Sequence, residues 1–250
     1  MDKEKFFEFA FGCSSETLSD RAIITPVILP DKFTEGSEVK STFRGRLYSG
    51  LKAVKEGAEF TVIRSGIGDR LLGDAVLLLS IAPVKEIVFA GTCGGFGGTK
   101  VGDILLCENA FDGEGFSRYH REGFDVSAFF DSGEMISADT EYTAQLKDFV
   151  SGKATKLCRS GNIFTIGSFM AEESEFVKNI EDRGFAGVEM ELSAVYSAAR
   201  STGLKATALT VVSDLPLERP LWDLTKEEKS EYNNGVKEMA CLLSDFMVAG

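Results

Sequence analysis

The stretch Glu86-Ile87-Val88-Phe89-Ala90-Gly91-Thr92-Cys93-Gly94-Gly95-Phe96-Gly97-Gly98 decides the fold. Its first part, Glu86–Ala90, is a short apolar run, and a dense glycine segment follows at once. Apolar residues at consecutive rather than alternate positions read as a strand buried on both faces. The glycines read as a tight turn at its end, where backbone N–H groups approach an anion or a sugar closely. No Gly-Lys-Ser/Thr follows, so this is not a Walker loop, and the spacing is not that of a dinucleotide fingerprint.

The same pattern recurs on both sides of this stretch. Strands are expected at Ala22–Leu29, Glu59–Arg64, Glu86–Ala90, Asp103–Glu108, Lys156–Ser160, Gly187–Met190 and Ala206–Val212. Helical spacing marks Asp69–Ser80, Thr140–Ser151, Glu173–Arg183, Glu191–Thr202 and Lys226–Val248. The first of these sets Leu71, Leu72, Ala75, Val76 and Leu79 on one stripe. Asp139 is placed to cap the second helix, and Gly203 to end the fourth. Alternating strands and helices imply an α/β fold with a largely parallel central sheet, whose ligands sit at the C-terminal ends of strands. No repeat, low-complexity tract or linker interrupts residues 1–250, which read as a single domain.

Composition narrows the function. The net charge of −12 argues against a nucleic-acid or anionic-membrane surface, because both require a positive footprint. A small anionic substrate stays compatible, since a few local arginines hold phosphate inside an acidic protein. One histidine in 250 residues excludes a His-rich metal centre and argues against a Ser-His-Asp triad. Cys13, Cys93, Cys107, Cys158 and Cys241 are scattered, odd in number and without a CxxC pair, which reads as free thiols in a reducing compartment. The N-terminus carries acidic residues and no long apolar core, so neither a secretory signal nor a membrane span is expected, and the cytoplasm is the default location.

Two further strand ends carry chemistry. In Gly187-Val188-Glu189-Met190-Glu191, two carboxylates bracket a methionine where a strand meets a helix. If the strand continues, Glu189 and Glu191 project to the same face. A carboxylate there accepts hydrogen bonds from the vicinal hydroxyls of a ribose, and Met190 offers an apolar surface to the sugar. The alternative is an acidic residue complementing a helix dipole. In Val211-Val212-Ser213-Asp214 an acid ends an apolar strand. Partial burial there raises a carboxyl pKa and suits it to general-acid work, while an Asx turn into Leu215-Pro216 is the structural alternative. Thr92 adds a hydroxyl suited to a phosphate oxygen.

Together these segments resemble the nucleoside phosphorylase and nucleosidase superfamily. The resemblance runs from about Ser65 to Pro216. It comprises Ser65-Gly66-Ile67-Gly68, Gly91-Thr92-Cys93-Gly94-Gly95, Val101-Gly102-Asp103-Ile104-Leu105, Phe111 to Tyr119, Gly161-Asn162-Ile163-Phe164-Thr165, Gly187–Glu191 and Ser213-Asp214. It implies a three-layer α/β/α sandwich around a mixed, partly barrel-like sheet. It also implies a homo-oligomer (dimer, trimer or hexamer) with sites near subunit interfaces. By this resemblance Glu191 holds the ribose hydroxyls, and Glu189, Met190, Thr92, Cys93 and Gly94 line the substrate. Phe164 stacks on the base, and Asp214 protonates the leaving purine. Gly91, Thr92 and a neighbouring subunit's Arg46, or alternatively its Arg44, hold phosphate. No metal or organic cofactor is expected, with inorganic phosphate as co-substrate.

The resemblance is incomplete where phosphate binds. Thr25-Pro26-Val27-Ile28-Leu29-Pro30 stands in place of a Gly-Asp-Pro-x-x-Arg segment. Phe89 stands where an arginine is expected, and Arg64 or Arg70 is a substitute source of charge. The hydrolytic branch carries a water-activating glutamate after the first strand, and here the nearest acid is Asp31. His120 follows the base-side loop as a further candidate contact. Three activities remain on this reading: phosphorolysis of a purine nucleoside, hydrolysis by water, or nucleoside binding without chemistry.

Overall fold

All seven apolar runs become strands, and three more join them in one mixed sheet. The strands are β1 (Arg21–Thr25), β2 (Glu38–Arg44), β3 (Ser49–Lys55), β4 (Ala58–Arg64), β5 (Glu86–Gly95), β6 (Ile104–Gly113), β7 (Met135–Ser137), β8 (Leu157–Ile166), β9 (Gly187–Glu189) and β10 (Lys205–Asp214). The computed structural model describes residues 2–120, 127–172 and 174–249, with the backbone alone at Ala128, Leu157 and Cys158. The sheet order is β10-β6-β8-β9-β5-β1-β4-β3-β2, with β7 on β6 and a further pairing between β10 and β5. That last pairing closes β10, β6, β8, β9 and β5 into a ring, from which β1, β4, β3 and β2 extend as an open sheet. The pairs β1–β4, β1–β5, β5–β10, β6–β8 and β8–β9 are parallel, and β2–β3, β3–β4, β5–β9 and β6–β10 are antiparallel.

Helices cover both faces. Against one lie α1 (Lys3–Phe11), α2 (Asp69–Leu79) and α7 (Leu192–Thr202), packed on Ile24, Ile63, Ile87 and Phe89. Against the other lie α5 (Thr140–Ser151) and α8 (Lys226–Val248), packed on Ile23, Val62, Val88 and Leu209. The expected three-layer arrangement is therefore present. Beside the ring, α6 (Ser174–Asp182) covers an aromatic cluster of Phe96, Phe111, Phe129, Phe164, Phe176 and Phe185. The short helices α3 (Phe116–Tyr119) and α4 (Ser127–Ser132) complete the set.

Local chemistry explains where helices begin and end. Asp139 accepts a hydrogen bond from Tyr142 N and caps α5. Thr225 and Glu228 form a reciprocal capping box at the start of α8. Gly203 ends α7 in the left-handed conformation that suits glycine. Glu173, where the sequence set the start of α6, lies outside the described residues.

Two expectations need correction, and one hairpin was not expected. The glycine segment Gly91–Gly95 is not a turn but the second half of β5, and the turn comes after Phe96. Strands flank this half-strand, and a Cβ on Gly94 would lie 2.4 Å from Pro216 Cγ, so the glycines permit close packing there. The first strand ends at Thr25, because Pro30 opens a 3₁₀ turn and Ile28 N turns back to Thr25 Oγ1. The hairpin β2–β3 escaped notice because β2 is a polar edge strand, exposed over most of its length.

Candidate active site

The site lies at the fork where the ring separates from the open sheet. Along one edge, β5 pairs with β1 as far as Phe89 and with β9 from Gly94 onward. Between them, the backbone of Ala90–Cys93 has no ladder partner on that edge among the described residues, while β10 pairs with the opposite edge from Glu86 to Gly94. Gly94 is flanked by Asp214 on β10 and by Val188 on β9. The fork thus gathers the Gly-Thr-Cys-Gly segment, the Val-Glu-Met-Glu segment and the terminal acid of β10.

The two glutamates divide their work. The strand stops at Glu189, so Glu189 and Glu191 do not share a face as the continued strand would require. Glu189 is buried, and both its oxygens are committed: Oε1 accepts from Thr165 Oγ1 at 2.5 Å, and Oε2 accepts from Glu191 N at 2.7 Å and Leu192 N at 2.8 Å. It ties β8, β9 and the first turn of α7 together, so the expectation that it lines the substrate is replaced by a positioning role. Burial pushes its carboxyl up to about 7 against the pull of those three donors.

Glu191 sits one residue before α7 and is also buried. Its Oε1 accepts from Gly68 N at 2.8 Å, and the Met190 amide is a second backbone donor. Gly68 has φ of 119°, which glycine tolerates and which turns its N–H toward this carboxyl at the start of α2. Burial first, and then repulsion by Glu189, push Glu191 up to about 8. Met190 between them is half-buried against the aromatic cluster.

Asp214 ends β10 and is buried. Ser213 Oγ lies 2.8 Å from its Oδ1, and the Leu221 backbone N–H is a further donor. Burial raises its pKa above the ordinary aspartate value, with these two donors opposing. Glu172 is a neighbour the sequence reading missed. Burial, and then the charge of Asp214, push it up to about 7. Its only sequence signal is its place just beyond the end of β8.

The aromatic expectation also changes. Phe164 is fully buried, stacked on Phe111 at 5.3 Å and edge-on to Phe176 and Phe185, so it presents no face to a ligand. The open ring at the end of the same strand is Phe169, 58% exposed on a 3₁₀ turn. Strand alternation placed Phe164 in the cluster, whereas Phe169 escapes it by following the strand's end. Near Glu189, Glu114 receives a hydrogen bond from Ser193 Oγ, and burial pushes it up to about 7. His120 contacts Ser168 Oγ through Nε2 at 3.1 Å, just before Phe169.

On the phosphate side, Thr92 is half-buried within the open edge of β5. Cys93 is buried with its Sγ 3.2 Å from Thr210 Oγ1, and burial pushes its thiol well above the ordinary range, so its side chain faces the core rather than a ligand. Phe89 is fully buried, and its ring lies against Gly91, where an added Cβ would meet it at 2.4 Å. Arg46 is exposed in the β2–β3 turn, with its N donating to Phe9 O. The order β5-β1-β4-β3 puts that turn about 14 Å or more from β5 of its own chain. It does not join Thr92 within one copy. No group of three or more His, Cys, Asp or Glu side chains among the described residues is arranged to hold a metal. No helix of the described residues is long and apolar enough to cross a membrane.

A strand-end fork of this kind, flanked by buried acids, stands where α/β sheets bind their ligands. The chain belongs to the Phosphorylase superfamily, whose family model matches residues 26–247. It is 28% identical over 205 residues to a purine nucleoside phosphorylase DeoD-type 1 of Photobacterium profundum, covering 81% of this chain and 80% of that one. It is 27% identical over 214 residues to a purine nucleoside phosphorylase DeoD-type of Bacillus cereus, covering 85% and 86%. Its fold is similar to that of a uridine phosphorylase from Vibrio fischeri, with a TM-score of 0.73, 20% identity and coverage of 93% and 92%. It is also similar to that of a futalosine hydrolase mutant from Helicobacter pylori, with a TM-score of 0.67, 15% identity and coverage of 91% and 98%.

Proposed function

We propose that this protein cleaves the N-glycosidic bond of a purine nucleoside by phosphorolysis, releasing the free base and ribose 1-phosphate. The observation that carries the reading is the fork itself: Asp214 and the Val188–Glu191 segment flank Gly94, beside the unpaired edge of Ala90–Cys93. Bond breaking leaves positive charge on the ribose and negative charge on the departing base. Glu191 holds the ribose hydroxyls, with Met190 against the sugar. Asp214, whose pKa burial raises above the ordinary aspartate value, donates a proton to the purine ring nitrogen as the C1′–N bond gives its electrons to the base. A phosphate oxygen then forms the new bond at C1′. The backbone of Gly91 and Thr92 and the Thr92 hydroxyl hold that phosphate, and a neighbouring copy contributes Arg46, so the working form is a homo-oligomer. Phe169 stacks on the base, in place of Phe164. Positioning and electrostatics carry this chemistry, with no metal or organic cofactor as reactant. The two purine nucleoside phosphorylases named above support the purine and phosphate assignments.

One observation favours a second reading. The buried Phe89 ring against Gly91 occupies the position of an expected phosphate-binding arginine, which suits hydrolysis by water. The assay that separates the two measures base release from inosine, adenosine and methylthioadenosine, with and without inorganic phosphate. Phosphorolysis requires phosphate and yields ribose 1-phosphate. Equal release without phosphate refutes it in favour of water, and nucleoside-dependent thermal stabilisation without release points to a binding protein.

A further inference from the structure

Two features on the leaving-base side are not used by glycosidic cleavage itself. The first is Glu172. It follows the 3₁₀ turn Phe169–Ala171, and its carboxyl stands close enough to Asp214 to feel that charge. Packing independently brings the two segments together: Ala171 and Leu217 lie on the same aromatic cluster, and Ser174 and Leu215 line one cavity. Among the described residues the Glu172 carboxyl accepts no hydrogen bond and makes no ion pair. The second feature is an apolar rim. Met170 is 79% exposed on the same turn as Phe169, and Trp222 is 83% exposed on the 3₁₀ turn Leu221–Asp223. The Leu221 N–H donates to Asp214, so this second turn also stands beside the leaving base.

We propose that the leaving base is a purine whose 6-amino group carries one apolar substituent: Glu172 accepts the remaining N–H, and Met170 and Trp222 cover the substituent. This substrate class rests on Asp214 serving a purine ring nitrogen during glycosidic cleavage. It does not depend on whether phosphate or water attacks. In a purine, N7 and the 6-substituent lie on one edge. With Asp214 at N7, the neighbouring acid therefore stands at the 6-position. A carboxylate there suits an N–H donor. A 6-oxo group would turn its lone pairs on Glu172 and leave both groups unsatisfied.

The rim extends that demand outward. Two large apolar side chains left in water, on separate turns beside one acid, mark a surface that a ligand covers. A thioether and an indole suit an aromatic or branched alkyl group. A secondary amine meets both demands at once, because it keeps one N–H and carries an apolar arm away from the ring. A primary amine lacks the arm, and a tertiary amine lacks the N–H.

The test is base release, followed by chromatography, from adenosine, inosine, N6-benzyladenosine and N6,N6-dimethyladenosine. It uses the full-length protein in phosphate at pH 8, as wild type, E172Q, W222S and M170S. At this pH Glu172, pushed up to about 7 by burial, is mainly ionised. Wild type is expected to favour adenosine over inosine at least about tenfold in kcat/KM, and N6-benzyladenosine over adenosine about ten- to a hundredfold. The dimethyl compound is expected to fall at least about tenfold below N6-benzyladenosine, since it has no N–H. E172Q is expected to cut the adenosine-to-inosine ratio at least about fivefold, because its NH₂ donates to a 6-oxo group. W222S and M170S, both at exposed positions, are expected to cut the N6-benzyladenosine-to-adenosine ratio at least about threefold. Equal cleavage of N6-benzyladenosine and adenosine by wild type overturns the substrate class, as does an adenosine-to-inosine ratio that E172Q leaves unchanged. Light scattering that shows a smaller assembly in W222S, with the benzyl preference intact, makes the rim a subunit contact and overturns its role here. If no nucleoside loses its base, the cleavage reading fails, and calorimetric affinities for the same four nucleosides decide the substrate class. The same order keeps it, and N6-benzyladenosine binding no tighter than inosine sinks it.

Discussion

Truncating Glu189 to alanine tests whether this acid positions the site rather than binding substrate. The substitution removes the acceptor for Thr165 Oγ1, Glu191 N and Leu192 N, all in a buried setting. Two orphaned backbone N–H groups cost about 1–3 kcal/mol each, and the stranded hydroxyl adds about 1 kcal/mol. Relief of a buried carboxylate returns part of this, because burial already pushes Glu189 up to about 7. The balance is a loss of about 3–5 kcal/mol. For a protein of this length that is a fall in Tm of about 6–20 °C. Urea unfolding followed by circular dichroism measures it, with E189Q as the companion. Glutamine keeps one carbonyl oxygen for the two amides, and its NH₂ donates to Thr165 Oγ1, so E189Q is expected to lose about 1–2 kcal/mol. Residual activity of folded E189A falls too, since the same contacts set the start of α7 and hence Glu191. A loss below about 1 kcal/mol in E189A, with nucleoside KM raised and stability kept, would return Glu189 to the substrate.

Three more outcomes follow from the site. Asp214→Asn is expected to lower turnover about 10²- to 10⁴-fold while nucleoside affinity changes little, and unchanged turnover removes Asp214 from the mechanism. Phe169→Ala is expected to raise nucleoside KM about five- to a hundredfold through lost stacking. Phe164→Ala is expected instead to destabilise the aromatic cluster by about 3–5 kcal/mol, and thermal melts of both variants that show the reverse pattern refute the assignment. The carboxyls of Glu114, Glu172 and Glu189 are pushed up to about 7 and that of Glu191 to about 8, all above the ordinary glutamate value of 4.5. Between about pH 4.5 and 8 the folded protein therefore binds more protons than the unfolded chain, so stability falls as pH rises through that window. The ligand-free Tm is expected to be about 3 °C or more higher at pH 5.5 than at pH 8.5, with a shallower slope in Glu191→Gln; a flat or opposite dependence counts against the buried acids.

Much of the fold was legible because local chemistry and burial agreed. Continuous apolar runs such as Ile87–Ala90 and Ala206–Val212 need a strand buried on both faces, and each became one. Thr140–Ser151 was readable to the residue because its cap, Asp139, lies in the sequence, and Lys226–Val248 because its apolar positions follow helical spacing. The hairpin β2–β3 was not legible, since an exposed edge strand has no apolar pattern to betray it. Gly91–Gly95 misled for a related reason: glycine signals a turn when read alone, but here it permits the close flanking of β9, β10 and Pro216.

Within the site, the sequence by itself determined which chemistry-bearing residues stand near strand ends, because the strands expected at Gly187–Met190 and Ala206–Val212 run out beside Glu189, Glu191 and Asp214. Only the tertiary structure decided what each residue is free to do. Glu189 and Phe164 are spoken for by Thr165, Leu192 and the aromatic cluster, contacts that bring together β8, β9 and α7. Glu172 stands beside Asp214, and Phe169 stays open, only because β8 ends where it does. Val188, Gly94 and Asp214 meet because β9 and β10, both distant in sequence from β5, flank it. The pairing of strands distant in sequence is decided by long-range packing, whereas hairpin register follows local turn geometry.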